Sequence, residues 1–424
     1  MEYEIDKKNK RMRLLIFGTT FVWLQLNILF PGNFTYLKLG FSIFIALLSL
    51  FDMLINKMLI PKKLLYGIFI FILFSIFSLT LGVINGYMIN FSIIEVYIFR
   101  PLIIFLVVCL FTRYLDIDNF RMLLFSSATI LIIYNFVYML GSFGIIPQFF
   151  FWEDNNVVIQ TDEFLASRMT NQVGLIFFFP FLTVDLFALN IKRNSKFSLA
   201  IIVYFLGFLV SIISGRRVLQ IVAILSVLII PSIRRKQKLS GYFRDYTLII
   251  LTAVLMVFIF SYIGSIFNLD NFARTVLSTV ADVFDNNSYS SQIRAVQVRE
   301  LLSFAYESPF IGFGLNSYVP NYIRSASLET PWSYEFVYLA YLFQVGIIGL
   351  ALFISILWNV LHKIYSARNF IYPLSHSVLL GALFFIIAGA TNPMIASIWF
   401  WFILLSSFVY VSKITTNEDV FNVK

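Results

Sequence analysis

The sequence has very little of what disulfide, metal or water-soluble proteins require. Its 424 residues include one cysteine, Cys109, which excludes an internal disulfide and a cysteine-based zinc site. Two histidines, His362 and His376, leave little for histidine-metal chemistry. Charged residues make up only 12% of the chain, whereas soluble domains have about 25%. With 60% apolar residues and a mean hydropathy of +0.87, the chain is predicted to be a polytopic membrane protein.

Long apolar segments predict an all-α fold with about 12 transmembrane helices, because a helix needs roughly 20 apolar residues to cross the hydrocarbon. Every backbone polar group must be paired inside that layer. No linker divides the chain, so residues 1–424 are predicted to form a single integral membrane domain. The predicted spans are 14–31, 37–56, 64–84, 91–112, 120–141, 173–190, 197–214, 218–233, 246–267, 335–361, 374–390 and 394–412.

The distribution of lysine and arginine predicts the orientation of these spans. With both termini in the cytoplasm, 22 of the 31 Lys and Arg residues fall in cytoplasmic segments and eight in outer loops. The net charge of +9 therefore needs no nucleic-acid partner. Membrane lipids with anionic headgroups are the expected contact of the basic inner segments.

Two predicted outer loops are long, the first at about residues 142–172 and the second at residues 268–334. Residues 268–334 separate the ninth and tenth spans, and loops of this length inside compact folds are usually functional. Seven of the eight outer cations are arginine, whose planar fork suits phosphate and carboxylate. Taken singly, several loop arginines are best explained by pairing with loop carboxylates. They are Arg274, Arg299 and Arg324.

Two arginine positions are candidate functional sites. Arg216 and Arg217 lie at a predicted outer membrane boundary with almost no loop around them. They are either snorkelling anchors or functional cations. Arg294 lies on the apolar stripe of a helix predicted over residues 291–308. A cation on a packing face needs an anionic partner, which is either a protein carboxylate or a bound phosphate.

Glycines and a carboxylate follow this predicted helix. Gly312 and Gly314 form a tight turn in which the backbone can approach another group closely. Glu335 opens the tenth span and is either a charge favoured by the helix dipole or a catalytic base. Helical spacing predicts one shared face on that span. The face carries Glu335, Tyr338, Leu342, Gly346 and Gly349.

In this order, the motifs resemble the superfamily of O-antigen ligases and O-antigen or capsule repeat-unit polymerases. The family's Ser-Arg motif is similar to Ser214-Gly-Arg-Arg, with Arg217 in the better register. Two further family motifs have counterparts here: a loop arginine followed by Pro and Gly-x-Gly, and a late helix that ends in Gly-x-x-Gly. The matches together cover roughly residues 205–350. The counterparts are Arg294, Pro309, Gly312 and Gly314, then Glu335, Tyr338, Leu339, Gly346 and Gly349.

The resemblance implies a cofactor-free, metal-independent, inverting glycosyltransferase on the outer face of a bacterial cytoplasmic membrane. Its implied substrate is an undecaprenyl-diphosphate-linked oligosaccharide, and a chain-length regulator protein is an implied partner. Arg217 and Arg294 would hold the diphosphate with Arg216 as an auxiliary, and Glu335 would act as base or orient the acceptor. The other substrate-binding residues implied are Gly312, Gly314 and Tyr338; Arg100, outside the matched motifs, is a further substrate-binding candidate because it is a charge within a predicted span.

The ligase branch has histidine where this chain has Glu335, which favours a polymerase over a ligase. A flippase or other transporter is the alternative of another class, although it would need more intramembrane charge and inverted halves. The peptidoglycan polymerases of the shape, elongation and division class would need a loop aspartate. Candidates for that aspartate exist, but the surrounding motifs do not fit: Asp270, Asp282 and Asp285.

Charge inside the fourth span raises a separate question. Glu95 and Arg100 are five residues apart, which places them about 140° apart on an α-helix, so direct pairing is not expected. Arg100 would then line the path of the lipid diphosphate or pair with a carboxylate on another helix. Asp185 is the candidate for that carboxylate.

Overall fold

A computed structural model describes most of the chain. The described residues are 2–56, 62–142, 146–147, 158–161, 164–167, 170–188, 195–214, 216–233, 247, 289–319, 331–367 and 373–421. Each predicted span coincides with a described helix, except the ninth, which lies outside the described residues apart from Thr247. The second long outer loop is described only in part.

The helices follow the apolar runs of the sequence. They are α1 Glu2–Leu29, α2 Thr35–Asn56, α3 Lys62–Ile84, α4 Phe91–Tyr114, α5 Ile117–Ser142, α6 Val173–Ala188, α7 Ser195–Ile213, α8 Arg217–Ile233, α9 Tyr289–Glu307, α10 Val337–Ser366, α11 Leu374–Gly389 and α12 Ile398–Phe421. Within the described chain, six helices are long and apolar enough to cross a membrane. Helices α6, α7, α8, α11 and α12 hold shorter apolar stretches. An all-α polytopic membrane fold is confirmed.

One short hairpin departs from the all-helical prediction. Strands β1 (Val158–Thr161) and β2 (Phe164–Ser167) pair antiparallel, with Val158 opposite Ser167. They lie in the connection between α5 and α6. A two-stranded ribbon this short is marginal by itself, so it does not change the fold class.

Aromatic side chains form the centre of the bundle. Phe177, Phe385 and Phe400 are fully buried, and the rings of Phe385 and Phe400 stack at 4.3 Å between centroids. A Cβ at Gly381 would lie 2.7 Å from the carbonyl oxygen of Phe177, so the backbones of α6 and α11 are in close contact. Such close approach at a small residue is typical of helix packing in membranes.

Helix α10 is interrupted at Gly346, which has φ 65° and ψ −174°. The predicted continuous face from Glu335 to Gly349 is therefore wrong beyond Gly346, because the helical rotation does not continue through the break. The segment 309–314 pairs with the backbone groups that the break leaves unpaired. Its bonds are Phe313 N–H to Phe343 O at 3.1 Å, Gly314 N–H to Gln344 O at 2.7 Å, Ile347 N–H to Pro309 O at 2.8 Å and Ile348 N–H to Phe310 O at 3.1 Å.

The glycine turn after α9 packs directly against helix backbone. Gly312 has φ +68°, and a Cβ there would lie 2.4 Å from the carbonyl group of Gln344. At Gly314, with φ +106°, a Cβ would lie 2.2 Å from the amide nitrogen of Gly82 in α3. The turn is thus inserted between α3 and α10, and both positions require glycine.

Candidate functional site

An ion pair joins Arg294 of α9 to Glu335. The Nε–H of Arg294 donates to Oε2 of Glu335 at 3.0 Å, and the two side chains are 36% and 30% exposed. Arg294 lies on the same helix face as Leu301 and Ala305, which are buried. The cation on the packing face thus has a protein carboxylate as its partner, and the pair remains accessible to a substrate.

Gln297 holds the backbone beside Glu335. Its Oε1 accepts the N–H of Phe336 at 3.3 Å, and Phe336 precedes the first residue of α10. The side chain is fully buried, and its Nε2 makes no hydrogen bond among the described residues. Sequence reasoning missed Gln297, although it lies three residues after Arg294 on the same stripe.

Glu335 and Tyr338 take different positions around the start of α10. Glu335 lies two residues before the first helical residue, Val337, rather than on the helix as its predicted bounds implied. The hydroxyl of Tyr338 donates to the carbonyl of Ile386 in α11 at 2.9 Å, so Tyr338 ties α10 to α11. A role of Tyr338 in substrate binding stays a prediction.

The Arg216–Arg217 turn lies in a polar cluster at the ends of α6, α7 and α8. Arg216 follows α7, and its Nε–H donates to Oε1 of Gln172 at 3.0 Å. Arg217 is the first residue of α8. Asn171 is buried beside Gln172, and neither atom of its side-chain amide has a hydrogen bond within the described part of the chain. Sequence reasoning did not identify Asn171 or Gln172.

The structure therefore brings Arg294 and Glu335 into contact, and it places Arg216 in contact with Gln172 and Ser214. A common hollow that holds Arg217, Arg294 and Glu335 stays a prediction. Arg299 is 75% exposed and pairs with Glu300, as expected of a simple surface arginine. The other loop residues that the sequence singled out lie outside the described residues: Arg274, Arg324, Asp270, Asp282 and Asp285.

The predictions for Glu95 and Arg100 are corrected. Nε and Nη2 of Arg100 donate to Oε1 of Glu95 at 3.2 and 3.1 Å. Residues Glu95–Phe99 form a π-helical turn, and the N–H of Arg100 donates to the carbonyl of Glu95. A π turn hydrogen-bonds residues five apart, so the two side chains face the same way. Asp185 pairs with Arg121 instead, at 3.0 Å.

Both charges of this pair line a large groove between α3, α4, α10 and α12. The groove has a volume of about 1000 Å³, and most of its lining is apolar. At one end it is bounded by Trp332, Ser333 and Tyr334, which directly precede Glu335, and at the other by Lys363. We call these the Glu335 end and the Lys363 end. The charged residues of the described lining are Glu95, Arg100 and Lys363.

Comparison with known proteins gives one finding for this region. Residues 199–354 match the family model for O-antigen ligase. The match contains both arginine positions, the glycine turn and Glu335, and it confirms the resemblance to the O-antigen ligase and polymerase superfamily over that segment. No curated protein shows significant similarity to the chain.

Proposed function

We propose that the protein is a repeat-unit polymerase of O-antigen, capsule or exopolysaccharide. It would transfer an undecaprenyl-diphosphate-linked glycan to the non-reducing-end hydroxyl of an acceptor repeat unit, on the outer face of the bacterial cytoplasmic membrane. The observation that carries the proposal is the Arg294–Glu335 pair at 3.0 Å. It lies within a segment that matches the O-antigen ligase family and adjoins the residues that close an apolar groove.

The proposed reaction needs a base and a stabilised leaving group. The acceptor hydroxyl oxygen bonds to the anomeric carbon as the bond from that carbon to the diphosphate oxygen breaks. The electron pair leaves with the lipid diphosphate, the hydroxyl proton passes to Glu335, and the configuration inverts. Arg294 and Arg217 stabilise the charge that develops on the diphosphate, so neither a metal nor a cofactor takes part.

The groove suits the lipid part of such a substrate. Its volume of about 1000 Å³ is at the upper end of the range for ligand pockets. Its wall is apolar, as a polyprenyl tail requires, and its Glu335 end lies next to the ion pair in the chain. A tail held there would place its diphosphate toward Arg294.

An O-antigen-type ligase is the second candidate, because the matching family model carries that description. Glu335 favours the polymerase, since the ligase branch that the sequence resembles has histidine at this position. The two enzymes share the donor and differ in the acceptor. A polymerase joins two lipid-linked repeat units, whereas a ligase moves the glycan to another lipid or to a protein.

Purified protein in liposomes, supplied with lipid-linked repeat units as donor and acceptor, tests the proposal. We expect a ladder of lengthened lipid-linked glycans with no other acceptor added. Product that forms only when a terminal acceptor lipid is added would identify a ligase. Substrate that crosses the bilayer without chain growth would identify a transporter and would contradict the proposal.

A further inference from the structure

We propose that Arg100 forms a second phosphate-binding site, inside the groove, for the second of the two lipid-linked substrates that polymerisation consumes. The inference rests on the proposed function. A polymerase must hold two lipid diphosphates at once, one on the donor and one on the acceptor. Arg294 supplies one cation, and Arg100 lies at a different place, on the groove wall.

The hydrogen bonds of Arg100 leave capacity for an anion. A guanidinium has five N–H donors. Two of them go to Oε1 of Glu95, and one goes from Nη1 to the carbonyl of Ala396 at 3.2 Å. Among the described contacts, one N–H on each terminal nitrogen of Arg100 and Oε2 of Glu95 make no hydrogen bond. Two N–H groups can donate one hydrogen bond each to two oxygens of a phosphate.

The Glu95–Arg100 contact has the geometry of a displaceable pair. Both hydrogen bonds from Arg100 go to the same carboxylate oxygen of Glu95. The side chain of Arg100 is 31% exposed and that of Glu95 is 45% exposed. Arg121 and Asp185 instead make two parallel bonds, at 3.0 and 3.1 Å, and the Asp185 side chain is only 4% exposed. The parallel arrangement is the stronger one. Arg121 therefore serves packing, whereas Arg100 can exchange its carboxylate for phosphate.

The surroundings favour a headgroup over water-soluble phosphate. The groove wall next to Arg100 is apolar or aromatic, with the rings of Tyr97 and Trp332 at 6.2 Å between centroids. Low polarity strengthens a guanidinium–phosphate contact. A phosphate that carries an apolar chain matches both the cation and the apolar wall beside it.

Binding of undecaprenyl diphosphate to the full-length protein in detergent tests the site, with stoichiometry from native mass spectrometry and affinity from titration. We expect about two lipids per chain for the wild type. Arg100→Gln should weaken one site about tenfold or more, as loss of a charged hydrogen bond implies. Glu95→Gln should tighten that site, because it removes the competing carboxylate. The control is Arg299→Gln, which should match the wild type.

Binding of undecaprenyl diphosphate by Arg100→Gln as tightly as by the wild type would overturn the inference, and so would unchanged or weaker binding by Glu95→Gln. Phosphatidylglycerol that competes equally well with undecaprenyl diphosphate would also overturn it, because the groove would then be a general lipid contact. Should Arg100→Gln not fold, Glu95→Gln decides, because a merely structural pair gives no gain in affinity. Absence of any glycan product from wild type would refute the proposed function. Full polymer from Arg100→Gln beside an active wild type would refute this inference alone.

Discussion

At the scale of single residues, opposite charges meet where the proposed reaction needs them. Arg294 and Glu335 are about one-third exposed, so a substrate can reach both. Gln297 is fully buried behind them and accepts the N–H of Phe336. In the proposed reaction, Gln297 would act through the position of Glu335, and small displacements of a catalytic group are costly.

Replacing Gln297 with methionine tests this positioning role. Gln297→Met keeps the volume of the side chain and removes the acceptor of the Phe336 N–H. We expect kcat to fall about 10-fold to 100-fold while KM changes little, because the substrate contacts remain. The exposed Gln292 on the same helix offers the control Gln292→Met. A fall in thermal stability with unchanged kcat would show that Gln297 serves folding alone.

A second prediction at this scale concerns the buried carboxylate of Asp185. Arg121→Gln removes its partner and should destabilise the protein by about 3–5 kcal/mol, the usual effect of leaving a buried charge uncompensated. The double variant Arg121→Gln with Asp185→Asn should recover most of that loss. Thermal unfolding in detergent measures both. Equal stability of the single and double variants would contradict the account.

At the scale of elements, a broken helix and an inserted turn shape the site. Gly346 interrupts α10, and the segment 309–314 supplies the backbone partners that the break requires. Unpaired backbone inside a membrane would be costly, so the turn and the break stabilise each other. This pairing holds α9, and with it Arg294, against α10.

Gly346→Ala tests the pairing between the break in α10 and the segment 309–314. An alanine would have to adopt φ 65°, and its Cβ would lie 2.2 Å from the carbonyl oxygen of Phe310. We expect a loss of about 2 kcal/mol or more from strain alone, seen as a lower unfolding temperature in detergent. The control is Gly18→Ala, whose Cβ has no neighbour within 4 Å. Equal stability of both variants would contradict the interpretation of the break.

The sequence predicts some of these elements and not others, for physical reasons. Apolar run length determines where long helices form, so every predicted span except the ninth coincides with a described helix. The stripe on α9 placed Arg294 on the packing face. By contrast, nothing in the apolar pattern of the fourth span distinguishes the π turn at Glu95 from an α-helical turn, and the contact of Arg100 with the carbonyl of Ala396 joins residues far apart in the chain. The positive φ of Gly346 could not be predicted from the sequence either, because a glycine within an apolar run usually indicates only close helix packing.

At the scale of the whole molecule, the groove and the ion pair require one orientation in the membrane. The proposal places the Glu335 end outside the cell and the Lys363 end in the cytoplasm. Cys109 is the one cysteine of the sequence, so a single substitution gives a cysteine-free background. In a Cys109→Ala background, Ser303→Cys on α9 should react with a membrane-impermeant thiol reagent in intact cells, and Ser366→Cys should not. The reverse labelling would contradict the proposed topology.

The central claim is that Arg217, Arg294 and Glu335 transfer a lipid-linked glycan. Its most direct test is the initial rate of chain lengthening by purified variants in liposomes. Arg217→Ala and Arg294→Ala should each slow lengthening about 10²-fold to 10³-fold, and Glu335→Gln about 10²-fold to 10⁴-fold, while Arg299→Gln keeps the wild-type rate. Long polymer made at the wild-type rate by all three variants would contradict the account.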